Sequence, residues 1–317
     1  MKEQRIKEVD RILNMDCREG LRLLPDNSID SCITSPPYYG LRDYGISDQI
    51  GLEHTPEDYI SNLAQIFDEV RRVLKPKGTL WLNMGDTYNS YKGNSKRSNQ
   101  ESDFAHARRQ AEREPGHGLE YKGAKERDMI GIPWMLAFTL RSMGWYLRQD
   151  IIWSKPNPMP ESVSNRCTKA HEYIFLMTKS QRYYYDSDAI RERVMSANRT
   201  HMVHHRKVVN GTYRDKCNDY TVMQSEYRNR RDVWTVAVQP SKGNHFATYP
   251  EELIRPCVLA GCPEGGIVLD PFMGTGTTAI VAHQYKRHFL GYEINKEYFD
   301  FACNRIAAEK RQLRLWI

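Results

Sequence analysis

Two successive prolines follow an apolar run near the amino terminus and could help to hold an amine. Residues 29–34 predict a buried strand, and Ser35-Pro36-Pro37-Tyr38 comes directly after it. Because proline fixes the backbone and has no amide hydrogen, the carbonyls of Ser35 and Pro36 are expected to be open to a ligand amine. The ring of Tyr38 could stack on a flat base, a contact worth about 1–3 kcal/mol. A Pro-Pro pair can also simply end a strand, so these four residues need supporting evidence.

A glycine-rich turn near the carboxyl terminus forms a second candidate site. It lies between an apolar strand and a helix, where glycines remove Cβ atoms and the helix start offers amide donors. An acidic residue ends the next strand, where it could accept hydrogen bonds from both ribose hydroxyls of an adenosine-containing cofactor. The candidate ligand-binding residues here are Asp270, Phe272, Gly274, Thr275, Gly276, Thr277 and Glu293.

The same turn permits another interpretation. Gly274, Gly276 and Ala279 fit the G-x-G-x-x-A pattern of dinucleotide-binding proteins. A nicotinamide-dependent oxidoreductase would therefore explain these glycines and Glu293, but it would leave Ser35 and Tyr38 without a role.

One segment carries the basic character of the chain. The formal net charge is +6, and residues 191–231 alone contain ten Lys or Arg against four Asp or Glu. Tyrosines are interleaved with these charges, a combination that can neutralise phosphates and stack on bases. A solvated basic loop is the alternative. The candidate DNA-binding residues are Arg191, Arg206, Lys207, Arg214, Arg228, Arg230 and Arg231.

Composition argues against several other classes of protein. The seven cysteines are scattered without a C-x-x-C pair, so neither a disulfide framework nor a zinc ribbon is expected. His201, His204 and His205 lack a matching Cys or carboxylate at ligand spacing, and we predict no metal site. No apolar stretch approaches the length of a membrane span, and the start of the chain has no signal-peptide pattern. These features predict a cytoplasmic globular protein.

Strands and helices alternate along the chain, which predicts a mostly parallel sheet covered on both faces. Ligands bind such sheets beyond the carboxyl ends of the strands. Predicted strands lie at residues 11–15, 29–34, 79–84, 146–153, 173–178, 267–269 and 288–292, and predicted helices at 17–24, 55–74, 133–143, from about 250, and at 278–285. Residues 86–128 are polar and glycine-containing, and we interpret them as a mobile insertion.

The two motifs together resemble those of the DNA amino-methyltransferases. Ser35–Tyr38 is similar to their catalytic S/D-P-P-Y motif, and residues 270–277 are similar to their F-x-G-x-G cofactor motif. Those enzymes methylate N4 of cytosine or N6 of adenine with S-adenosylmethionine. Because the catalytic motif comes first in the chain, its order resembles the permuted β class. Residues 14–17, 148–158, 171–179 and 245–251 also resemble parts of that family.

The resemblance implies a Rossmann-like S-adenosylmethionine-dependent methyltransferase fold. Its mostly parallel sheet would have seven strands and be circularly permuted, with an inserted target-recognition region. Residues 1–185 would form the catalytic half, 186–240 the target-recognition region, and 241–317 the cofactor-binding half. The resemblance also implies that Asp16 contacts the adenine of the cofactor and that Phe246 lines its methionine end.

The function implied is site-specific methylation of double-stranded DNA. Ser35 and the Pro36 carbonyl would accept hydrogen bonds from the target amine, and Tyr38 would clamp a base flipped from the duplex. Ser35 stands where the adenine enzymes usually carry Asp, so N4 of cytosine is the expected acceptor and N6 of adenine the alternative. An RNA methyltransferase and a noncatalytic DNA-binding protein remain open. A restriction endonuclease could accompany the protein without touching it, and the protein could be a monomer or a homodimer.

Overall fold

The computed structural model describes most of the chain, and two compact units can be distinguished in it. One unit comprises Met1–Tyr185 and Asp232–Ile317, and the other comprises Asp186–Arg231. The described residues are 6, 8–41, 45, 49–89, 123–125, 127–194, 200–204, 208–209, 212–213, 220–224, 226–239 and 249–314. Phe246, Arg206, Lys207 and Arg214, which carry sequence predictions, lie outside these residues, as does the segment 90–122.

The strands and helices alternate in the larger unit as the sequence predicts. The strands are β1 (Arg11–Leu13), β2 (Ile29–Thr34), β3 (Leu74–Met84), β4 (Tyr146–Ser154), β5 (His171–Thr178), β6 (Glu192–Arg193), β7 (Thr200–His204), β8 (Val208–Val209), β9 (Thr212–Tyr213), β10 (Tyr220–Gln224), β11 (Tyr227–Arg228), β12 (Val233–Thr235), β13 (Ile267–Asp270) and β14 (His288–Tyr292). The helices are α1 (Cys17–Arg22), α2 (Pro56–Val73), α3 (Ile132–Ser142), α4 (Glu251–Gly261), α5 (Thr277–Gln284) and α6 (Lys296–Arg314).

The larger unit is built on one eight-stranded sheet in the order β1-β14-β13-β2-β3-β5-β4-β12. Neighbouring strands are parallel except at β5, which runs antiparallel to both β3 and β4. The mostly parallel sheet is therefore confirmed. The expectation of seven strands is wrong, because Val233–Thr235 adds an edge strand beside β4. Three residues are too few to show a strand pattern in the sequence.

Strand order brings the two sequence motifs together. β2 and β13 are parallel neighbours, with Ser31 opposite Val268 and Cys32 opposite Leu269. Both strands therefore end at the same edge of the sheet, and the residues that follow them share one crevice. The amino end of β5 reaches this edge as well, because β5 runs in the opposite direction.

Helix α2 shows how the sequence builds the layer that covers this sheet. Thr55 caps its first turn by accepting a hydrogen bond from the Asp58 amide at 3.1 Å, and Pro56 occupies the first helical position. The apolar side chains recur every three or four residues and are buried, so one face of the helix packs against the sheet. These residues are Tyr59, Ile60, Leu63, Ile66, Phe67 and Val70.

The sequence misses helix α6 and misplaces several ends by one or two residues. Helix α6 is rich in charged residues, which weakens the periodic apolar signal, yet its Ala302 is fully buried. Strand β3 begins at Leu74, directly after α2 and before the predicted start at residue 79. None of the described helices combines the length and apolarity needed to cross a membrane.

The segment interpreted as a polar insertion has paired ends. Tyr88 forms a β-bridge with Met129, and the Asn89 amide donates to the Asp128 carbonyl at 2.8 Å. Asp86 Oδ1 accepts hydrogen bonds from the Gly131 and Ile132 amides at 3.0 Å and so caps the start of α3. The chain thus leaves and rejoins the sheet through a fixed neck.

The smaller unit consists of nested antiparallel strand pairs. Strand β6 pairs with β11, β7 with β10, and β8 with β9. Because each later pair lies inside the one before it along the chain, the segment forms one interrupted two-stranded ribbon.

Candidate active site

The candidate site begins with a contact between the two motif-bearing strands. Thr34, the last residue of β2, donates a hydrogen bond to Asp270 Oδ1 at 2.6 Å. Asp270 ends β13, so the contact fixes the origin of the Ser35–Tyr38 segment relative to the glycine-rich turn.

Asp270 organises the turn from behind the cavity wall. It is 1% exposed, and its carboxylate also accepts hydrogen bonds from the Phe272 amide at 3.0 Å and the Tyr249 hydroxyl at 3.0 Å. The Thr278 hydroxyl donates to Oδ2 at 2.5 Å. Burial raises the pKa of Asp270, although these donors oppose the shift. Since the described residues already engage both oxygens, we assign Asp270 a positioning role instead of the predicted direct contact with a cofactor.

One cavity of about 230 Å³ opens at this edge of the sheet. Asp270 and Gly276 do not line it. The predicted site residues that do are Asp16, Ser35, Pro36, Pro37, Tyr38, Phe272, Gly274, Thr275, Thr277 and Glu293. The cavity therefore joins most of the described residues of both motifs in one space.

The two glycines of the turn have different roles. Gly274 has φ +53° and lines the cavity, and its amide donates to Glu293 Oε2 at 2.7 Å. Gly276 has φ +83°, and a Cβ added there would lie 3.0 Å from Ala302 Cβ in α6. Close approach of a cofactor, the reason expected from the sequence, is therefore not what requires Gly276. The left-handed backbone and the packing of α6 require it.

Glu293 presents a buried carboxylate to the cavity. It is 8% exposed, and Oε1 accepts from the Asn295 amide at 2.8 Å. Burial raises the pKa of Glu293 to about 7, although the hydrogen bonds from the Asn295 and Gly274 amides oppose the shift. Each carboxylate oxygen can accept a second hydrogen bond, so the group can still bind a pair of hydroxyls.

Asp16 lies at the same end of the cavity. It caps α1 by accepting from the Arg18 amide at 2.6 Å, and the Arg18 guanidinium also binds its carboxylate. Burial alone would raise the pKa of Asp16, but these contacts hold it below its usual value.

This half of the cavity suits an adenosine-containing cofactor. A buried carboxylate faces a glycine turn, and apolar side chains that can flank a flat ring stand nearby. Those side chains are Met15, Phe272 and Ile294. The donor and acceptor set therefore fits the adenosine part of S-adenosylmethionine.

The Ser35–Tyr38 segment forms another part of the wall. Pro37 contributes its carbonyl to the fold, because the buried Tyr59 hydroxyl donates to it at 2.7 Å. Within the described residues, the Pro36 carbonyl accepts no such bond. The Tyr38 ring lies against the backbone of Gly85, where an added Cβ would come within 2.6 Å of Tyr38 Cε2.

Several cavity residues carry no signal that sequence reasoning used. The Tyr38 hydroxyl donates to Glu172 Oε2 at 2.6 Å, and burial together with this carboxylate raises the pKa of Tyr38. The additional polar and aromatic lining residues are Asn83, Trp153, Lys155, Glu172 and Tyr249. Their strands converge only in the folded sheet, so their sequence spacing does not group them. No cluster of three potential metal ligands occurs among the described residues.

The basic unit places its described arginines in ion pairs. Glu192 Oε1 accepts from Arg228 Nε and Arg231 Nε, each at 2.6 Å, and Arg191 lies 2.8 Å from Asp188. Side-chain exposure is 67% for Arg231 and 24% for Arg228. Arg231 therefore has most of its surface available to a partner.

Comparison with known proteins agrees with this geometry. Residues 29–304 match the sequence model of the N6/N4 DNA methylase family. The chain is 45% identical over 294 residues to Type II methyltransferase M.Cfr9I of Citrobacter freundii, covering 93% of this chain and 86% of that protein. It is 42% identical over 301 residues to Type II methyltransferase M.SmaI of Serratia marcescens, covering 93% and 90%.

Solved structures share the fold. PvuII DNA methyltransferase (cytosine-N4-specific) superposes with a TM-score of 0.62 at 16% identity, covering 97% of this chain and 93% of that chain. A putative DNA modification methylase from Thermus thermophilus, complexed with S-adenosyl-L-methionine, gives 0.57 at 23% identity, covering 94% and 93%. The fold is thus that of the S-adenosylmethionine-dependent methyltransferases. With a family match across most of its length and both motifs facing one cavity, this chain belongs to the DNA methylase family.

Proposed function

We propose that the protein transfers a methyl group from S-adenosylmethionine to N4 of cytosine at a specific site in double-stranded DNA. The observation that carries this proposal is the placement of Ser35-Pro36-Pro37-Tyr38 and the Gly274–Glu293 pair in one cavity. A base amine and a cofactor can then be held side by side, and such positioning lowers the barrier to an in-line transfer.

Each wall of the cavity has its own task. The Pro36 carbonyl and Ser35 accept hydrogen bonds from the amine, which directs its lone pair away from these acceptors as positive charge develops. The Tyr38 ring stacks on the flipped base. Glu293 accepts the ribose hydroxyls, and Asp16 contacts the adenine. S-adenosylmethionine supplies the electrophilic methyl group.

Serine at position 35 supports cytosine as the acceptor base. An aspartate there would add a full charge beside the amine, as in most adenine enzymes of the family that the motif resembles. The neutral hydroxyl needs less compensation from its surroundings. The name of the PvuII enzyme agrees with this choice, but at 16% identity that likeness concerns the fold, so the base assignment depends on Ser35.

We further propose that the smaller unit is the target-recognition region, inserted into a permuted catalytic domain. The major groove of DNA admits a two-stranded β-ribbon, and the nested pairs from β6 to β11 form one. The basic residues of this ribbon would contact phosphates. Arg231, with 67% of its side chain exposed, is the best placed of those described.

The Type II names of the relatives support a restriction–modification role. In that setting the methyl group protects the site from a cognate endonuclease, which need not touch this protein. Sequencing that detects methylated bases in DNA from an expressing host would reveal the protected site.

Transfer of label from radioactive S-adenosylmethionine tests the proposal. We expect labelled duplex DNA, no labelled RNA, and loss of labelling in Ser35→Ala with cofactor affinity retained. Tyr38→Ala should behave in the same way. RNA as the preferred acceptor, or full activity of Ser35→Ala, would argue against this site. N6-methyladenine as the product would instead favour the alternative base.

A further inference from the structure

Four polar side chains from different strands meet in the cavity wall beside Tyr38. Glu172, at the amino end of β5, accepts from the Tyr38 hydroxyl at 2.6 Å and from Asn83 Nδ2 at 3.3 Å. Its other oxygen, Oε1, accepts from Lys155 Nζ, one residue beyond the end of β4. The carboxylate therefore joins the stacking residue to a cation in the same cavity.

The Lys155–Glu172 ion pair is largely withdrawn from solvent. Side-chain exposure is 17% for Lys155 and 14% for Glu172. Burying such a pair costs desolvation energy, and well-packed apolar residues often stabilise a fold equally well. An ion pair in the wall of a ligand cavity is therefore better explained by what it offers a ligand.

Lys155 is the donor in this cluster with capacity left for a ligand. Both amide hydrogens of Asn83 have acceptors, at Glu172 Oε2 and at the Tyr173 carbonyl 3.1 Å away. The Lys155 ammonium has three hydrogens, and Glu172 is its only hydrogen-bond acceptor among the described residues. Its Nζ lies 4.3 Å from the centre of the buried Trp153 ring, which limits where the ammonium can move.

Cytosine and adenine differ at the edge such a donor would meet. Beside its amine, cytosine carries two successive acceptors, N3 and O2. Adenine carries one acceptor, N1, followed by a C–H group. A donor aligned with the second position therefore favours cytosine.

We propose that Lys155 reads the target base, donating a hydrogen bond to O2 of the flipped cytosine while Glu172 and Trp153 hold its ammonium in place. This inference rests on the proposed cytosine function. Glu172 is a positioning residue here, since it fixes both the hydroxyl of the stacking Tyr38 and the reading cation.

The carboxylate also resolves an electrostatic problem. Positive charge develops on the amine during methyl transfer, so an unpaired ammonium nearby would oppose the reaction. Pairing it with Glu172 keeps the donor while cancelling the net charge.

A duplex containing 2-thiocytosine at the mapped target tests the proposal, because sulfur is a weak acceptor. A hydrogen bond from a charged donor contributes about 1.5–3 kcal/mol, which corresponds to about 10- to 100-fold in rate. We expect the wild-type kcat/KM to fall by that factor on the thio substrate. In Lys155→Met, kcat/KM on cytosine should fall similarly, and the two substrates should become nearly equivalent.

The double variant Lys155→Met/Glu172→Gln controls for an uncompensated buried carboxylate. We expect it to keep its melting temperature and its S-adenosylmethionine affinity but to lose discrimination as well. Discrimination that persists in the double variant would indicate steric exclusion of sulfur and overturn the proposal, as would equal wild-type rates on both substrates. If the wild type makes only N6-methyladenine, the cytosine function and the role of Lys155 fail together. N4-methylcytosine made without any thio effect removes Lys155 alone.

Discussion

Thr34 and Asp270 are 236 positions apart in the chain, yet their side chains are joined by a 2.6 Å hydrogen bond across neighbouring parallel strands. This bond holds the start of the base-binding segment against the strand that leads into the cofactor turn. The relative position of the two halves of the site therefore depends on a contact that touches neither substrate.

Thr34→Val should weaken this coupling. Valine keeps the shape of threonine but removes one donor from a buried carboxylate, which should cost about 1–3 kcal/mol of unfolding free energy. We expect weaker cofactor binding and slower turnover together, measured by calorimetry and steady-state kinetics. Ser31→Ala is the matched control, since the Ser31 hydroxyl lies 2.9 Å from Thr79 Oγ1 in the same strand but away from the cavity. If both variants lose stability equally and neither affects binding, the coupling is absent.

Cofactor affinity should rise with pH near neutrality. The pKa of Glu293 is about 7 in the folded protein, against 4.5 for an unperturbed glutamate. Only the ionised carboxylate can accept both ribose hydroxyls, so the Kd for S-adenosylmethionine should fall as pH rises from about 6 to 8. Glu293→Gln should bind weakly with a flat profile over this range. A wild-type Kd that does not change with pH would contradict the role of Glu293.

Linkage gives the opposite sign for stability. Between pH 4.5 and about 7 the folded protein keeps a proton on Glu293 that the unfolded chain releases. The contribution of this group to the unfolding free energy is therefore full below pH 4.5 and is lost as pH rises through about 7. Denaturant unfolding of the wild type and Glu293→Gln across this range isolates that contribution.

Alanine at position 276 should destabilise the fold by more than backbone strain alone. Gly276 and Gly131 have nearly equal φ angles of +83° and +87°, but a Cβ at 276 meets Ala302 while one at 131 meets nothing within 4 Å. Gly131→Ala therefore measures the strain, about 1–3 kcal/mol, and Gly276→Ala adds the contact with α6. Denaturant unfolding compares the two. Equal losses would mean that α6 adjusts without cost.

Neutralising Arg228, Arg230 and Arg231 together should weaken DNA binding and flatten its salt dependence. Removing one phosphate interaction should lower the slope of log K against log salt by about 0.9. Fluorescence anisotropy at several salt concentrations measures both quantities. Arg255→Gln, at a half-exposed arginine of α4, is the control. Unchanged affinity and slope in the triple variant would indicate that the ribbon does not contact phosphates through these residues.

Glu192 offers a check with the opposite sign. Burial would raise the pKa of Glu192, but hydrogen bonds from Arg231 and Arg228 hold it below the usual value. The carboxylate therefore competes with phosphate for these guanidinium groups. Glu192→Gln should leave DNA affinity equal to the wild-type value or raise it, and a clear loss would indicate that the ribbon needs this ion pair for its shape.

Local patterns predict the sheet and both motifs because apolar runs, prolines and glycines act over a few residues. The role of Asp270 was not predictable in this way, since its donors come from Thr34, Tyr249 and Thr278, which only the folded sheet assembles. Lys155 and Glu172 were missed for the same reason. Helix α6 escaped because its many charges obscure the apolar face, and β12 is too short to show a pattern.

The central claim is that this cavity methylates cytosine at N4. Mass spectrometry of nucleosides from duplex DNA treated with the purified protein and S-adenosylmethionine tests it most directly. The account predicts N4-methyldeoxycytidine with the wild type and none with Ser35→Ala. N6-methyldeoxyadenosine as the sole modified nucleoside would contradict the cytosine assignment, and the absence of any methylated base on DNA carrying the protected site would contradict the proposed reaction.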